Sequence, residues 1–409
     1  MDTISKEDLD RMLTAMIQSD EGVSDLLFVA GKPPQVEAHG KLKSFSPDEP
    51  ALNSDRIQSV AMAIINGNPT PAKDLAEHGS CDCSYSLGDT CRFRVNIYRQ
   101  NGSYAMVLRR LQTQIPSLEK LNLAPIFREI IKEKTGIIFV TGGTGSGKTT
   151  TLAAMLNEIN LNNAVHIVTL EDPIEFLHPH INATFSQREF KRDFFSFPSG
   201  LHAALRQAPK IILVGEIRDR ETMEIALTAA ETGHVVYSTL HTISAGQTIN
   251  RILGMFSKEE EQQVRERLAE TVRFIVSQRL VPKITGGRML VTEIMGSNLR
   301  SREAIAMGEG ENRRFLDIIE AGNTAGWHSF EQSLLKAYDA DLICAETALL
   351  CCTNKTQMHQ RLDVSKKRKA VVPESSTLKM RVEAQSPPPV RITPPNVNPP
   401  LARPNGVAT

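Results

Sequence analysis

The sequence lacks several features that would place it in other classes of protein. No apolar run approaches the roughly 18 residues needed to span a bilayer, and the amino terminus shows no signal-peptide pattern. The six cysteines form no C-x-x-C pair, so free thiols are expected rather than a tetracysteine zinc site. The formal net charge is zero, so the bulk charge indicates no nucleic-acid partner. We therefore expect a cytoplasmic protein that is not inserted in a membrane.

Length and charge distribution indicate more than one domain, followed by a distinct tail. A chain of 409 residues allows two or three domains, each with its own core. Residues 361–409 contain nine Lys/Arg against three Asp/Glu, and nine of the 22 prolines lie between Pro373 and Pro404. Such a segment buries too little apolar surface to offset the cost of ordering it. We predict that residues 361–409 form a disordered, basic, proline-rich tail.

The first 112 residues predict a small α+β domain. Apolar residues at helical spacing within residues 9–17 mark one face of an amphipathic helix. A second helix is predicted over residues 55–65, with Ser54 as its N-cap. Residues 83–111 have a strand-like pattern that predicts consecutive hairpins. The two predicted turns are Gly88-Asp89 and Asn101-Gly102.

From residue 125 the pattern changes to short apolar strands alternating with longer helices. The predicted strands cover residues 137–141, 166–170, 211–215, 235–240 and 289–294. Buried runs separated by helices indicate a parallel sheet covered on both faces. Residues 113–124 are predicted to be a linker. A helical region from about residue 300 completes an α/β domain that spans residues 125–360.

The most specific motif is a glycine-rich turn between the first of these strands and a helix. Its glycines let backbone N–H groups surround phosphate oxygens, and the helix N-terminus adds a positive dipole end. Lys148 can reach the β- and γ-phosphates, and the Thr149 hydroxyl can ligate Mg²⁺. This is a Walker A loop. The predicted nucleotide-binding residues are Gly142, Gly143, Thr144, Gly145, Ser146, Gly147, Lys148, Thr149 and Thr150.

Three further clusters lie where a P-loop ATPase needs them. Residues 211–216 form an apolar strand that ends in Glu216, the position of a Walker B carboxylate that holds Mg²⁺. Residues 169–175 place three carboxylates at the end of another strand, where a base for the attacking water is needed. His234 and His241 flank a third strand, and from there we expect both to contact the γ-phosphate. Each cluster by itself also has a purely structural explanation. The first could be an acidic turn, the second an acidic loop, and the third a pair of core or surface histidines.

The order of these clusters resembles that of the secretion ATPase superfamily, which includes the GspE/PulE-like proteins. Within it, the sequence is similar to the PilT-type retraction ATPases of type IV pili and their PilU-type relatives. Further runs that carry the resemblance are Ser24-Asp25-Leu26, Gly31-Lys32-Pro33-Pro34, Arg92-Phe93-Arg94-Val95-Asn96, Gln187-Arg188-Glu189, Leu205-Arg206-Gln207-Ala208-Pro209 and Ala229-Ala230-Glu231-Thr232-Gly233-His234.

The resemblance implies a PAS-like domain over residues 1–112 and a RecA-like ATPase domain after it, assembled as a homo-hexamer. It implies ATP and Mg²⁺ as cofactors, with Glu175 as the catalytic carboxylate of the acidic box. Two arginines of the first domain would reach the nucleotide and stabilise charge on the transferring phosphoryl group. The implied catalytic residues are Glu175, Glu216, His234, His241, Arg94 and Arg109, and the implied metal ligands are Thr149 and Glu216.

The implied function is retraction of a type IV pilus at the inner face of the bacterial inner membrane. Its implied partners are an inner-membrane platform protein and a paralogous retraction ATPase. One departure is residues 297–305, where the family carries Ala-Ile-Arg-Asn-Leu-Ile-Arg-Glu. An assembly or type II secretion ATPase, or a weakly hydrolysing accessory subunit, remains an alternative. The near-neutral charge disfavours a DNA-translocating motor.

Overall fold

The computed structural model describes residues 4–46, 50–88, 91–111, 114–311 and 313–371. The chain divides into two compact units, Met1–Leu362 and Asp363–Thr409. The first unit contains both predicted domains. Of the second, residues 363–371 are described, and they continue the last helix. The remainder of the predicted tail, residues 372–409, lies outside the described residues, as does part of the predicted turn at Gly88-Asp89.

The amino-terminal domain is an antiparallel sheet with helices packed on it. The strand order is β3-β2-β1-β6-β5-β4. The strands are β1 (Val23–Phe28), β2 (Gln35–Ala38), β3 (Lys41–Ser44), β4 (Ser80–Leu87), β5 (Cys91–Gln100) and β6 (Ser103–Leu111), and the helices are α1 (Lys6–Gln18), α2 (Ser54–Ile65) and α3 (Pro69–His78). Both predicted hairpins and the first predicted helix are confirmed.

Local chemistry explains the boundaries of these elements, with one correction. Leu9 and Leu13 are fully buried, because the apolar face of α1 lies against the sheet core. The N-cap of α2 is Asn53 rather than Ser54, since the Asn53 side chain accepts a hydrogen bond from the Arg56 amide at 2.8 Å. An asparagine satisfies an otherwise free helix amide as well as a serine does, so composition could not separate the two.

The segment predicted as a linker has no regular secondary structure over residues 114–124. Leu118 within it is buried and packs against the core of the following domain. The segment therefore lies on the core of the second domain over at least part of its length.

The second domain is built on a seven-stranded sheet in the order β13-β12-β7-β11-β10-β8-β9. The strands are β7 (Gly136–Thr141), β8 (His166–Glu171), β9 (Thr184–Glu189), β10 (Ile211–Val214), β11 (Val235–Leu240), β12 (Val272–Pro282) and β13 (Arg288–Gly296). Strands β7, β10 and β11 are buried throughout, as expected for strands covered on both faces. The helices of this part are α4 (Phe127–Ile130), α5 (Lys148–Asn162), α6 (Phe197–Ala204), α7 (Arg220–Glu231), α8 (Ala245–Leu253) and α9 (Glu261–Thr271).

The sheet is mixed rather than wholly parallel, which corrects the sequence prediction. β12 and β13 form an antiparallel hairpin, and β12 then runs parallel to β7. Gly286 and Gly287, both with positive φ, form the reversal between the two strands. The pattern analysis missed β9 and β12, because partly polar strands lack a continuous apolar run.

Helices complete the carboxyl-terminal part of the domain. They are α10 (Leu299–Met307), α11 (Phe315–Ala321), α12 (Phe330–Asp339), α13 (Ala345–Cys351) and α14 (Lys355–Val371), with a short 3₁₀ turn at Asn323–Ala325. The prediction that disorder begins at residue 361 is wrong, since α14 continues to Val371. Met358 and Leu362 are buried in a core formed with α12 and the β12–β13 hairpin, and that burial orders the helix.

Within the described ranges, no helix combines the length and the apolar character that crossing a bilayer requires.

Candidate active site

The Walker A loop lies at the carboxyl end of β7 and leads directly into α5. Gly142 has φ +146°, and a Cβ there would lie 2.5 Å from Ser146 Oγ and 2.6 Å from the carbonyl oxygen of Gln278. Gly147, at φ +90°, is the residue that precedes α5. Only glycine fits both places, because one lacks space and the other needs a left-handed backbone. The loop is therefore shaped to expose its amides to an anion.

Lys148 is held inside this loop. Its Nζ donates to the carbonyl oxygens of Gly142 at 2.9 Å and Gly143 at 3.1 Å. Burial lowers the pKa of Lys148, while the charges of Glu216 and Glu175 oppose that shift. Both carboxylates are therefore close enough to act on the ammonium group electrostatically.

A cavity of about 430 Å³ opens beside the loop. Its lining combines residues of the loop, of the ends of β8, β10 and β11, and of β5 in the amino-terminal domain. Of the predicted site residues, those that line it are Arg94, Thr144, Gly145, Lys148, Thr149, Glu175, Glu216 and His241. Gly142, Gly143, Ser146, Gly147 and Thr150 belong to the same loop and its helix without lining the cavity.

Glu216 follows the end of β10 and is held by the Arg218 guanidinium and the His241 imidazole. Arg218 Nη2 donates to its Oε2 at 2.8 Å, and His241 Nε2 lies 3.4 Å from its Oε1. Partial burial opposes ionisation of Glu216, but the hydrogen bond and charge of Arg218, with His241, outweigh it and lower the pKa. Glu216 is thus kept as a carboxylate, which the binding of a cation requires.

The acidic box brings Glu171, Asp172 and Glu175 to the end of β8 and the loop after it, and all three line the cavity. Burial raises the pKa of Glu171 to about 7, although hydrogen bonds from Thr169 and Gln187 oppose the shift. Burial also raises the pKa of Asp172, against the charges of Arg94 and Arg218. The three carboxyl groups therefore differ in environment.

The structure corrects the prediction for His234. β11 runs parallel to β10 and β7, so its carboxyl end, where His241 follows, lies at the cavity. His234 precedes the amino end of the same strand, about 20 Å away at the rise of an extended chain. There its Nδ1 lies 3.0 Å from the carbonyl oxygen of Ala229, within the turn after α7. Residues at opposite ends of one strand cannot meet one phosphate.

The two arginines of the amino-terminal domain are direct cross-strand neighbours on β5 and β6. Arg94 lines the cavity, whereas Arg109 does not. Arg109 instead donates through Nε to Asp25 at 2.9 Å, with a side chain that is 69% exposed. In this chain only the first of the two predicted arginines therefore faces the nucleotide site.

The residues around the cavity fit a magnesium ion. The Thr149 hydroxyl and the Glu216 carboxylate supply oxygen ligands, which Mg²⁺ prefers, and both line the same cavity. Both Glu216 oxygens already have a side-chain partner, Arg218 or His241, so the fit is to an ion that retains several waters. The described residues contain no group of three His, Cys, Asp or Glu side chains able to hold a metal by themselves.

Sequence reasoning missed several residues of the cavity. Arg218 lies two positions after Glu216, and its sequence position alone gave no sign that it pairs with that carboxylate. His178 is buried, stacks on Phe185 with ring centroids 4.4 Å apart, and also lines the cavity. Glu171 was visible in the acidic box, but its burial was not. A charged residue close after a strand end was the one signal available for Arg218 and Glu171, and His178 gave none.

Replacing Glu171 with glutamine should stabilise the protein at alkaline pH. Folding raises the pKa of this carboxyl from 4.5 to about 7, so the folded chain binds its proton more tightly. Stability from this group is present below pH 4.5 and is lost as the pH rises to about 7. Glutamine resembles the protonated acid, so we expect a gain of up to about 3 kcal/mol at pH 8 and little at pH 5. Thermal unfolding at both pH values measures it.

The control is Glu259→Gln, the same change at an exposed position of the same domain. An equal effect of Glu171→Gln at pH 5 and pH 8 would contradict the assigned pKa.

Comparison with known proteins places these features in a family. A family model described as "Type II/IV secretion system protein" matches residues 62–327. The chain is 38% identical to the "Type IV pilus retractation ATPase PilT" of Pseudomonas aeruginosa, over 80% of this chain and 94% of that protein. It is 35% identical to the "Type IV pilus ATPase PilU" of the same organism, over 84% of this chain and 88% of that protein.

A solved structure agrees with the fold. The crystal structure of the pilus retraction motor PilT with bound ADP superposes with a TM-score of 0.78 at 38% identity. The match covers 86% of this chain and 98% of that one, so it includes both domains described above.

Proposed function

The chain belongs to the type II/IV secretion system protein family and is an ATPase, and from that premise we propose that it powers retraction of a type IV pilus. One observation carries the proposal at the site: Lys148 and Thr149 of the Walker A loop share a cavity with Glu175, Glu216 and His241. The similarity to pilus retraction ATPases over most of both chains directs it to the pilus.

Each residue has a role in hydrolysis that its position supports. Lys148 leaves its loop carbonyls for the β- and γ-phosphates and stabilises the charge that develops on the transferring group. Glu175 orients the attacking water and accepts its proton. Bound Mg²⁺ would neutralise phosphate charge beside Thr149 and Glu216. Arg94, reaching in from the amino-terminal domain, adds a second cation at the same phosphates.

The role of Glu216 depends on its two neighbours. His241 and Arg218 both contact its carboxylate, one on each oxygen. A phosphate in the cavity competes with Glu216 for Arg218 and His241, so the three side chains respond together to the presence of the terminal phosphate. His241 would therefore sense that phosphate through Glu216. Arg109 would reach a nucleotide only by leaving Asp25.

We infer a homo-hexamer of PAS-like and RecA-like domains, and the six-stranded antiparallel sheet with its packed helices supports the first of these names. The ring would lie at the inner face of the inner membrane. It would act on a platform protein there, together with a paralogous retraction ATPase.

Two alternatives concern the direction and the strength of the motor. An assembly or type II secretion ATPase typically carries a tetracysteine module, and this sequence has no C-x-x-C pair. A weakly hydrolysing accessory subunit is favoured by the departure at residues 297–305. Those residues form the start of α10 and do not line the cavity, so the departure leaves the hydrolytic site intact.

The test is the pilus phenotype of the bacterium that encodes this chain. Deletion should produce cells with excess surface pili and no twitching, and the wild-type chain should restore both. Glu216→Ala should fail to restore them, while Glu259→Gln, at an exposed position, should succeed. Deletion cells without pili would instead assign the chain to assembly. Restoration by Glu216→Ala would show that hydrolysis here is not needed.

A further inference from the structure

Arg92 and Glu189, two residues without an assigned role so far, meet at the boundary between the amino-terminal and ATPase domains. Arg92 lies on β5, and Glu189 is the last residue of β9. Arg92 Nη2 donates to Glu189 Oε2 at 3.0 Å, and each side chain is only 7% exposed. Ser84, on β4, adds a hydrogen bond to Glu189 Oε1 at 2.5 Å. This buried ion pair therefore links the two domains.

The same pair holds the backbone of the acidic box. Arg92 Nη1 donates to the carbonyl oxygen of Ile174 at 3.1 Å. The amide of Ile174 in turn donates to Glu189 Oε2 at 3.2 Å. Both polar backbone groups of Ile174 are thus bound by the pair, and Ile174 directly precedes Glu175. The peptide that carries the proposed catalytic carboxylate is fixed from both sides.

The energetics of the pair favour a role in geometry over one in stability. Removing two charges from water is costly, and well-packed apolar residues often replace a buried ion pair without loss of stability. Arg92 Nε is also buried without a hydrogen-bond partner among the described residues. The hydrogen bonds to Ile174, by contrast, have no apolar equivalent. The pair therefore fixes the position of the loop, which apolar residues could not do.

We propose that Arg92, acting with Glu189, is a positioning residue that places Glu175 for hydrolysis and couples this placement to docking of the amino-terminal domain. This inference rests on the role proposed for Glu175. Arg94, two residues further along the same face of β5, lines the cavity itself. One strand of the amino-terminal domain therefore holds the acidic loop with one arginine and reaches the cavity with the next.

The structure provides a matched control at the same boundary. Lys191 Nζ binds Asp74 of α3 at 2.5 Å, so this second ion pair also joins the two domains. Lys191 donates to Asp74, and the hydrogen bonds of Ile174 described above involve neither residue. Loss of this pair removes one contact between the domains, while the Arg92–Glu189 pair still docks them and holds the acidic box.

The experiment compares ATP turnover of the full-length chain in four variants. Arg92→Lys keeps the charge, but its single nitrogen cannot occupy the two positions from which Nη1 binds Ile174 and Nη2 binds Glu189. The double variant R92M/E189M removes both charges, so that neither is left buried alone. The controls are Lys191→Met and Asp74→Asn. Turnover, KM, affinity for a fluorescent ADP analogue and the thermal midpoint are measured for each.

We expect kcat to fall by about a hundredfold in both Arg92 variants, as for a misplaced catalytic group, with the ADP affinity unchanged. The two controls should retain the wild-type kcat. Equal kcat values in the Arg92 variants and the controls would overturn the proposal. Failure of both Arg92 variants to fold would overturn it as well, because the pair would then serve stability.

A Glu175→Gln variant measured beside them separates this inference from the proposed function. If Glu175→Gln is inactive while the Arg92 variants turn over normally, only the positioning role is wrong. If Glu175→Gln retains turnover, the catalytic role of Glu175 fails first, and the positioning role fails with it.

Discussion

Replacing Lys148 with alanine should abolish nucleotide-dependent activity. The alanine removes a charge-assisted donor to the phosphates, each such hydrogen bond contributing about 1.5–3 kcal/mol, so we expect ADP affinity to fall by roughly 10- to 150-fold. The same cation stabilises charge in the transition state, and its loss should lower kcat/KM by a further factor of about 10²–10³. Steady-state phosphate release and titration with a fluorescent ADP analogue measure the two effects.

The control is Lys258→Ala, which removes the same charge from an exposed position in the ATPase domain. Among the described residues, the hydrogen bonds of the Lys148 side chain go to two loop carbonyls, so its loss should leave the thermal midpoint close to that of the wild type. Equal turnover by Lys148→Ala and the wild type would rule out hydrolysis at this cavity.

Replacing Glu175 with glutamine should separate binding from hydrolysis. Glutamine keeps the shape of the side chain but cannot accept the proton of the attacking water, so we expect kcat to fall by about 10²–10⁴-fold. Affinity for ADP should remain near the wild-type value, because the Walker A loop supplies the phosphate contacts. Single-turnover hydrolysis and ADP titration give the two numbers.

Glu259→Gln makes the same chemical change on the exposed surface and should leave kcat unchanged. A parallel loss of ADP affinity in Glu175→Gln would show that this carboxylate shapes the binding site. Its role in orienting water would then be withdrawn.

The carboxylates of Glu175 and Glu216 both act on the charge of Lys148. Glu175 and Glu216 come from loops after β8 and β10, which are adjacent and parallel. Parallel neighbours end at one edge of a sheet, and this places both groups around the Walker A loop. The sequence could predict this convergence, because the carboxyl ends of parallel strands share one edge whatever the order of the strands.

Other parts of the site depended on the three-dimensional path of the chain. Arg94 and Arg109 look equivalent in the sequence, yet only Arg94 lines the cavity. His234 and His241 also look equivalent, but six strand residues lie between them and separate the two side chains to opposite edges of the sheet. Sequence similarity assigned a catalytic role to both members of each pair, whereas in the structure one member of each pair, Arg94 or His241, lines the cavity.

The amino-acid sequence by itself determined the phosphate-binding loop, the alternation of buried strands and helices, and the two acidic clusters. These are local features, since glycine conformation, apolar periodicity and the position of a charge after a strand all act within a few residues. Only the tertiary structure decided the antiparallel β12–β13 hairpin, the burial of Glu171, and the ion pair of Arg92 with Glu189. Burial and pairing depend on which residues become neighbours when the chain folds. Arg92 and Glu189, for example, are 97 positions apart in the sequence and meet only in the folded protein.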